Sequence, residues 1–270
     1  MIKKALLTGF SSGIGFAYAK HLAKNGWHLD LVSQNKDRAL SALEDLDYDH
    51  YSVHTCNLSS PEELNNLIQE ISTPDLLIAN AGIGINGSVG KNTPSDIEDA
   101  TFLMFGGVIR LIEHFLPKMK EKDSGRVVII SSIGALIPMP KSSIYAAVKS
   151  GIYSYGRSLN EELENTNVSV TVSLPGYVRT NIHKRSGLEH LTKKIPNWMW
   201  ISADKVVADT EKASIKGKSH IIPGLLYRVT SIFFNLKITK IIWKTLNARK
   251  QSFKKFWSFN DKSRGSIINF

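Results

Sequence analysis

Thr8-Gly9-Phe10-Ser11-Ser12-Gly13-Ile14-Gly15 decides how this chain folds. Lys3-Lys4-Ala5-Leu6-Leu7, a short strand-like segment, precedes it, and an amphipathic helical pattern follows. Glycines at such a junction permit a tight turn, let a pyrophosphate approach the backbone, and let the helix pack close to the strand. The free N–H groups and the dipole of the helix start favour a bound phosphate. A glycine trio alone is a weak sign; with strand and helix in place it predicts a nucleotide site.

Outward from this turn, strand-like runs alternate with helical ones. Strands are expected at Lys3–Thr8, His28–Val32, Tyr51–Thr55, Asp75–Ala79, Arg126–Ser131, Val168–Ser173 and Ser219–Ile222. Helices are expected near Gly15–Asn25, Asp37–Asp45, Pro61–Ile71, Asp96–Lys120, Ser143–Asn165 and Ala203–Lys216. Ser60-Pro61-Glu62-Glu63 supplies an N-cap, a first-turn proline and acids, and Gly26 stands where a left-handed residue would end the first helix. Leu76-Leu77-Ile78-Ala79 and Val127-Val128-Ile129-Ile130 are apolar without alternation, the mark of a sheet covered on both faces. The fold class is therefore α/β, a doubly wound parallel sheet in one Rossmann-type domain over 1–223, with a C-terminal extension over 224–270.

The spacing Gly-x-x-x-Gly-x-Gly after Thr8 differs from the Gly-x-Gly-x-x-Gly of ordinary dinucleotide dehydrogenases. It resembles the short-chain dehydrogenase/reductase family in its compact subclass. Further family motifs fall in order: Asn80-Ala81-Gly82 after the fourth strand, Ser132, Tyr145 and Lys149 after the fifth, and Pro175-Gly176-Tyr177-Val178-Arg179-Thr180 after the sixth. The resemblance spans about residues 1–223 and implies an NAD(P)-dependent oxidoreductase interconverting a carbonyl and an alcohol. It assigns Thr8, Gly9, Ser11, Ser12, Gly13, Ile14, Gly15, Ser33, Gln34, Asn57, Leu58, Asn80, Ala81 and Gly82 to cofactor binding. Tyr145, Lys149, Pro175, Gly176, Val178 and Thr180 join them.

The catalytic chemistry follows from the residues as well. Tyr145 and Lys149 are four apart on an expected helix and share a face. A phenol with pKa near ~10 is a poor base at neutral pH, and a nearby ammonium favours its ionised form. As carbon gains hydride, a carbonyl oxygen must gain a proton. A nearby hydroxyl such as Ser132 could hold the substrate oxygen; by resemblance Tyr145 is expected as acid/base and Ser132 as the group orienting that oxygen, with Lys149 lowering the phenol pKa. By resemblance Lys149 also holds the cofactor ribose. Ser131 is expected to face away.

Departures from the family pattern refine this picture. Gly107 and Leu116-Pro117-Lys118-Met119 fix a helical register in which Met104 stands where the family has an asparagine serving a proton relay. Methionine is only a weak acceptor, so either another polar group supports the relay or proton exchange is slowed, and reduced but not absent activity is expected. At the end of the second strand, Ser33 occupies the position of an acid that binds the ribose of NAD, and Gln34 that of an arginine in many NADP users. Lys36 and Arg38 follow, and NADP(H) is favoured over NAD(H), although Ser12 is not basic. Asn57 replaces an aspartate that meets adenine and retains an acceptor.

Other readings are bounded by composition. The single cysteine, Cys56, excludes an internal disulfide and fits a reducing, cytoplasmic compartment. The apolar run at the start, Ala5-Leu6-Leu7 after two lysines, is shorter than the roughly 7–15 residues of a signal core, and no run of about 18 uninterrupted apolar residues suggests a span. His50 and His54 are the closest histidine pair but lack further ligands, so no metal is expected. Glu161, Glu162 and Glu164 read as a solvated face. Trp198-Met199-Trp200 reads either as part of an apolar substrate pocket, where the family has a lid, or as packing.

Of the net charge of +10, residues 224–270 carry +9, from ten Lys/Arg against Asp261. Apolar residues from Leu225 to Trp257 recur at helical steps between these cations. The segment reads as a basic amphipathic helix, for an anionic membrane surface or for packing on protein, without nucleic-acid motifs. A homodimer or homotetramer and a small, apolar carbonyl or alcohol substrate are expected. The alternative class is a nucleotide-binding regulatory protein with weak turnover; sugar-nucleotide epimerase chemistry fits the glycine spacing less well.

Overall fold

The computed structural model describes residues 2–179 and 195–234. Seven strands form one parallel sheet: β1 (Lys4–Thr8), β2 (His28–Ser33), β3 (Tyr51–Thr55), β4 (Leu76–Ala79), β5 (Gly125–Ile130), β6 (Val168–Ser173) and β7 (His220–Ile221), in the order β3-β2-β1-β4-β5-β6-β7. Among the described residues, the helices between them are α1 (Gly13–Lys24), α2 (Lys36–Leu46), α3 (Pro61–Glu70), α4 (Pro94–Thr101), α5 (Gly107–Glu121), α6 (Ser143–Glu162) and α7 (Ala203–Ile215). This is the doubly wound α/β fold that the apolar strands and alternating elements predict.

Successive residues of a strand point to opposite faces, so apolar runs feed two cores. Ala5, Leu7, Leu31 and Ile78 pack with residues of α1, α2 and α7. Leu6, Val32, Leu77 and Val127 pack with residues of α3, α5 and α6. Both layers are sealed to near-zero exposure at their centres, which fixes the sheet as an interior plate. Strand order reverses between β1 and β4, and the crevice beyond the carboxyl ends of those strands is where open α/β sheets take ligands.

Local signals hold the helix ends. The Ser60 hydroxyl accepts from Glu63 N at 3.3 Å, and Gly26 takes a left-handed φ of 72°. The long helix expected over Asp96–Lys120 is instead interrupted by a π-helical turn, Phe102–Gly106, whose closing bond runs from the Gly107 N–H to the Phe102 carbonyl. One extra residue in a turn leaves hydrophobic periodicity almost unchanged, which is why the pattern reads as continuous. The run Pro94–Glu121 is apolar enough by composition to cross a membrane, but Leu111, Ile112, Phe115, Leu116 and Met119 are buried in the domain core.

The chain forms two compact units, Met1–Tyr227 and Arg228–Phe270. Helix α8 (Leu225–Phe234) contains all that is described of the second, Arg228–Phe234. Thr180, and the basic amphipathic segment beyond Phe234, lie outside the described residues.

Candidate active site

The glycine turn is built by mutual contacts of β1, α1 and β4. Gly9 has φ 70°, a left-handed conformation that favours glycine, and a Cβ there would meet Ala81 Cα at 2.9 Å. A Cβ on Gly15 would meet the Gly9 carbonyl oxygen at 2.2 Å, so the helix start lies directly against the turn. The Asn80 side chain fastens this arrangement, its Nδ2 donating to the Thr8 and Gly9 carbonyls at 2.9 and 3.1 Å. Thr8 Oγ1 accepts from Asn80 N at 2.9 Å and Ala81 N at 3.1 Å. Asn80 and Thr8 therefore shape the crevice floor by holding backbone to backbone.

The crevice fits a dinucleotide. The N-cap of α1, Ser12, makes no side-chain capping bond, and the first turn contains no acid, so the helix start keeps donors suited to a phosphate. At the end of β2, the Ser33 hydroxyl lies 3.3 Å from Ser11 Oγ and 3.3 Å from the Asn35 carbonyl oxygen. Asn35 caps α2, accepting from Arg38 N at 2.8 Å, while Gln34, Lys36 and Arg38 are exposed. Asn57 already accepts from Ser59 N at 3.1 Å through Oδ1, and its backbone N–H donates to Glu63 at 2.7 Å. An amide oxygen keeps a second lone pair for a ligand. Leu58 is half-buried and packs against the α3/α5 side of the core.

Ser132, Tyr145 and Lys149 meet beyond β5. Ser132 caps a 3-10 turn, Ile133–Ala135, accepting from Gly134 N at 3.0 Å, which leaves its proton to donate. It hydrogen-bonds the Tyr145 phenol; burial pushes the phenol pKa up and the Ser132 bond draws it down. Lys149 is buried, its Nζ donates to the Ile130 carbonyl at 2.9 Å, and burial draws its pKa down to about 8. The ammonium stands 5.9 Å from the Tyr145 ring centre. The lowered phenol pKa expected from Lys149 is thus not what this arrangement gives: a strand-end carbonyl takes the buried ammonium, and burial governs the phenol. Ser131 is buried and donates to the Lys149 carbonyl at 2.8 Å, pinning α6 to β5.

Met104 lies inside the π-helical turn, 1% exposed, packed with Ile85, Ala100, Val148 and the half-buried Tyr145. Its sulfur stands 3.4 Å from where a Cβ on Gly82 would be. Its side chain is a filler between the Asn80-Ala81-Gly82 segment and α6.

Pro175 accepts from Ile133 N at 3.0 Å, which ties the segment after β6 to the turn holding Ser132. Val178 forms a parallel bridge with Ile201. Of the two tryptophans, Trp200 packs, with Tyr177 at 5.7 Å and Arg179 at 5.7 Å from its ring centre, whereas Trp198 is exposed. Ile83 is also exposed, and the loop it begins is joined to the entry of α6 by the Gly87 N–H to Lys141 carbonyl bond and by Ser142 with Asn86. Tyr227, which the sequence reading passed over, bonds Tyr177 and Met199. No local pattern marks it, since its partners lie far away in the chain.

The remaining clusters are engaged elsewhere. His54 bonds Asp30 at 3.0 Å and His50 lies edge-on to Tyr48, so the two do not converge. Burial and the nearby Glu63 and Glu70 push the Cys56 thiol up to about 11, far from a reactive thiolate.

Comparison with known proteins identifies the family and the fold. The family model for short chain dehydrogenase matches residues 3–190. A 3-oxoacyl-[acyl-carrier-protein] reductase of Rickettsia typhi is 31% identical over 197 residues, 72% of this chain and 81% of that protein. A fatty acyl-CoA reductase of Acinetobacter baylyi is 32% identical over 186 residues, 66% of this chain and 63% of that protein. Among solved structures, a short-chain dehydrogenase from Sphingobium yanoikuyae in complex with NADPH superposes with a TM-score of 0.76 at 25% identity, covering 94% of this chain and 96% of that one. A family protein from Burkholderia phymatum in complex with NAD has the same fold, with TM-score 0.77 at 21% identity over 90% of this chain and 95% of that one.

The chain belongs to the short-chain dehydrogenase/reductase family. It is an oxidoreductase using a nicotinamide cofactor on CH–OH or C=O groups of small molecules.

Proposed function

We propose that this enzyme reduces the carbonyl of an apolar small molecule with NADPH, using Tyr145 as proton donor, Ser132 to orient the carbonyl oxygen, and Lys149 to hold the cofactor ribose and recharge the phenol. The observation that carries the reading is the meeting of a serine hydroxyl, a phenol and a buried ammonium beyond β5, on the sheet edge where α1 begins. The nicotinamide, when bound, supplies or accepts the hydride. Ser132, already accepting from Gly134 N, donates a hydrogen bond to the substrate oxygen without giving up its proton and sets that oxygen near the phenol. Tyr145 gives its proton as negative charge develops there. Lys149 titrates at about pH 8, close enough to neutrality to return a proton to Tyr145.

Three features support the choice of cofactor and substrate. No acid ends β2, so a 2′-phosphate meets no repulsion, and Lys36 and Arg38 stand exposed at the start of α2. The binding of NADPH by the Sphingobium relative points the same way. Exposed Ile83, Tyr177 and Trp198 beyond the strands favour an apolar ligand, as do the acyl substrates named for the relatives.

A panel of acyl, aromatic and alicyclic ketones with NADPH and NADH, run on the wild type and on Tyr145→Phe, tests the reading. Turnover of at least one ketone, faster with NADPH and lost in the variant, is expected; turnover retained in Tyr145→Phe sinks the assignment. Assembly as a homodimer or homotetramer belongs to the same reading and is checked by light scattering.

A further inference from the structure

Segments around Gly176–Tyr177, Met199 and Tyr227 itself converge on one phenol. Tyr227 is 5% exposed. Its hydroxyl accepts from the Tyr177 N–H at 3.0 Å and donates to the Met199 carbonyl. Its ring lies flat on Gly176: a Cβ there would stand 2.2 Å from Cζ and 2.4 Å from Cε1 and Cε2. The turn that presents Tyr227 is itself anchored, because Gly224 N donates to Asp209 Oδ2 at 3.0 Å, and Lys205 Nζ holds the other oxygen of that carboxylate at 2.7 Å.

These bonds run on towards the chemistry. Ile201 donates to the Tyr177 carbonyl at 3.0 Å and accepts from Arg179 N at 3.1 Å, so the segments on either side of Tyr227 also hold each other. Pro175, next to Gly176, accepts from Ile133, next to Ser132. A shift of Tyr227 is therefore passed through three short steps to the backbone beside Ser132. Burial raises the pKa of this phenol, so it stays protonated and keeps its donor across the working pH range.

We infer that Tyr227 is a positioning residue for the nicotinamide half of the cofactor, setting the height of Pro175–Val178 through Gly176 and Tyr177 and locking it to the Asn197–Met199 turn. The inference rests on the proposed placement of the nicotinamide against Pro175-Gly176. It requires glycine at 176 for a reason apart from the cofactor: the ring of Tyr227 occupies the space of a side chain.

The test uses the full chain and two probe pairs: NADPH with adenosine 2′,5′-bisphosphate, and NADH with AMP. The second member of each pair lacks the nicotinamide half. Tyr227→Phe keeps the ring on Gly176 and removes both hydroxyl bonds. Its affinity for the preferred dinucleotide is expected to fall about five- to tenfold, as loss of one or two hydrogen bonds allows, while the matching half-ligand binds as in the wild type. Gly176→Ala, which presses on the ring, is expected to give the same selective loss. Unchanged dinucleotide affinity in Tyr227→Phe, or equal weakening of a dinucleotide and its adenosine half, overturns the inference while leaving the cofactor reading intact. A wild-type chain that binds the adenosine halves and dinucleotides equally well overturns the nicotinamide placement itself, and the inference with it.

Discussion

Tyr145, Lys149 and Met104 carry most of the residue-scale argument. If Tyr145 delivers the proton, Tyr145→Phe removes the transfer and leaves the ring's packing; turnover is expected to fall by about 10²–10⁴-fold, measured with the best ketone of the panel, with dinucleotide binding retained. Lys149 bears on stability in a definite direction. Its folded pKa of about 8 lies below the ordinary 10.5, so between those values the unfolded chain binds more protons. Stability from this group is therefore gained as pH rises through that window and lost as pH falls towards the folded pKa. Urea unfolding of wild type and Lys149→Met at pH 7 and pH 10 should show their difference moving about 2–3 kcal/mol in favour of the wild type at the higher pH. A difference independent of pH would refute the depressed pKa. For Met104 the structure adds a cost that the sequence did not show. It fills an apolar cluster, so Met104→Asn buries an amide with no partner there and should cost about 1–3 kcal/mol by chemical denaturation. If turnover per folded molecule rises while stability falls, the missing relay residue is the cause of slow proton exchange; a drop in both identifies Met104 as packing alone.

At the scale of elements, the proposed roles of Tyr145 and Lys149 make the reaction depend on how closely α6 lies on the sheet. Gly156 permits that approach: a Cβ there would come within 2.5 Å of Val172 Cγ2 and 2.9 Å of Ile129 Cδ1. Gly156→Ala should lift the helix that carries Tyr145 and Lys149, lowering stability by about 1–3 kcal/mol from overpacking and reducing kcat more than cofactor affinity. Unaltered kcat in a destabilised variant would show that the helix tolerates the shift. Most element boundaries were legible because their signals are local: Ser60 caps α3, Gly26 ends α1, and apolar runs mark buried strands. The π-helical turn was not, since it changes the spacing by one residue within an already apolar stretch. Nor was the direction of the Lys149 side chain, because its partner, the Ile130 carbonyl, belongs to another element.

For the whole molecule, the crevice at the β1/β4 reversal should couple ligand binding to folding. The preferred dinucleotide at 100 times its Kd should stabilise the native state by about 2.7 kcal/mol, read as a rise in Tm that grows with concentration. No rise with either NADPH or NADH would contradict nicotinamide binding by the native state. By itself the sequence determined the class of fold and the strand–turn–helix junction at Thr8–Gly15, through apolar periodicity and turn residues, and its family resemblance pointed to Ser132, Tyr145 and Lys149 as the proposed catalytic set. Tertiary structure alone decided which groups hold those residues: Asn80 stapling the glycine turn, Ile130 taking the lysine, Met104 packed between Gly82 and α6, and Tyr227 clamped on Gly176. Each of these contacts joins residues from different elements, and only the packing of strands and helices brings such residues within hydrogen-bond or van der Waals reach.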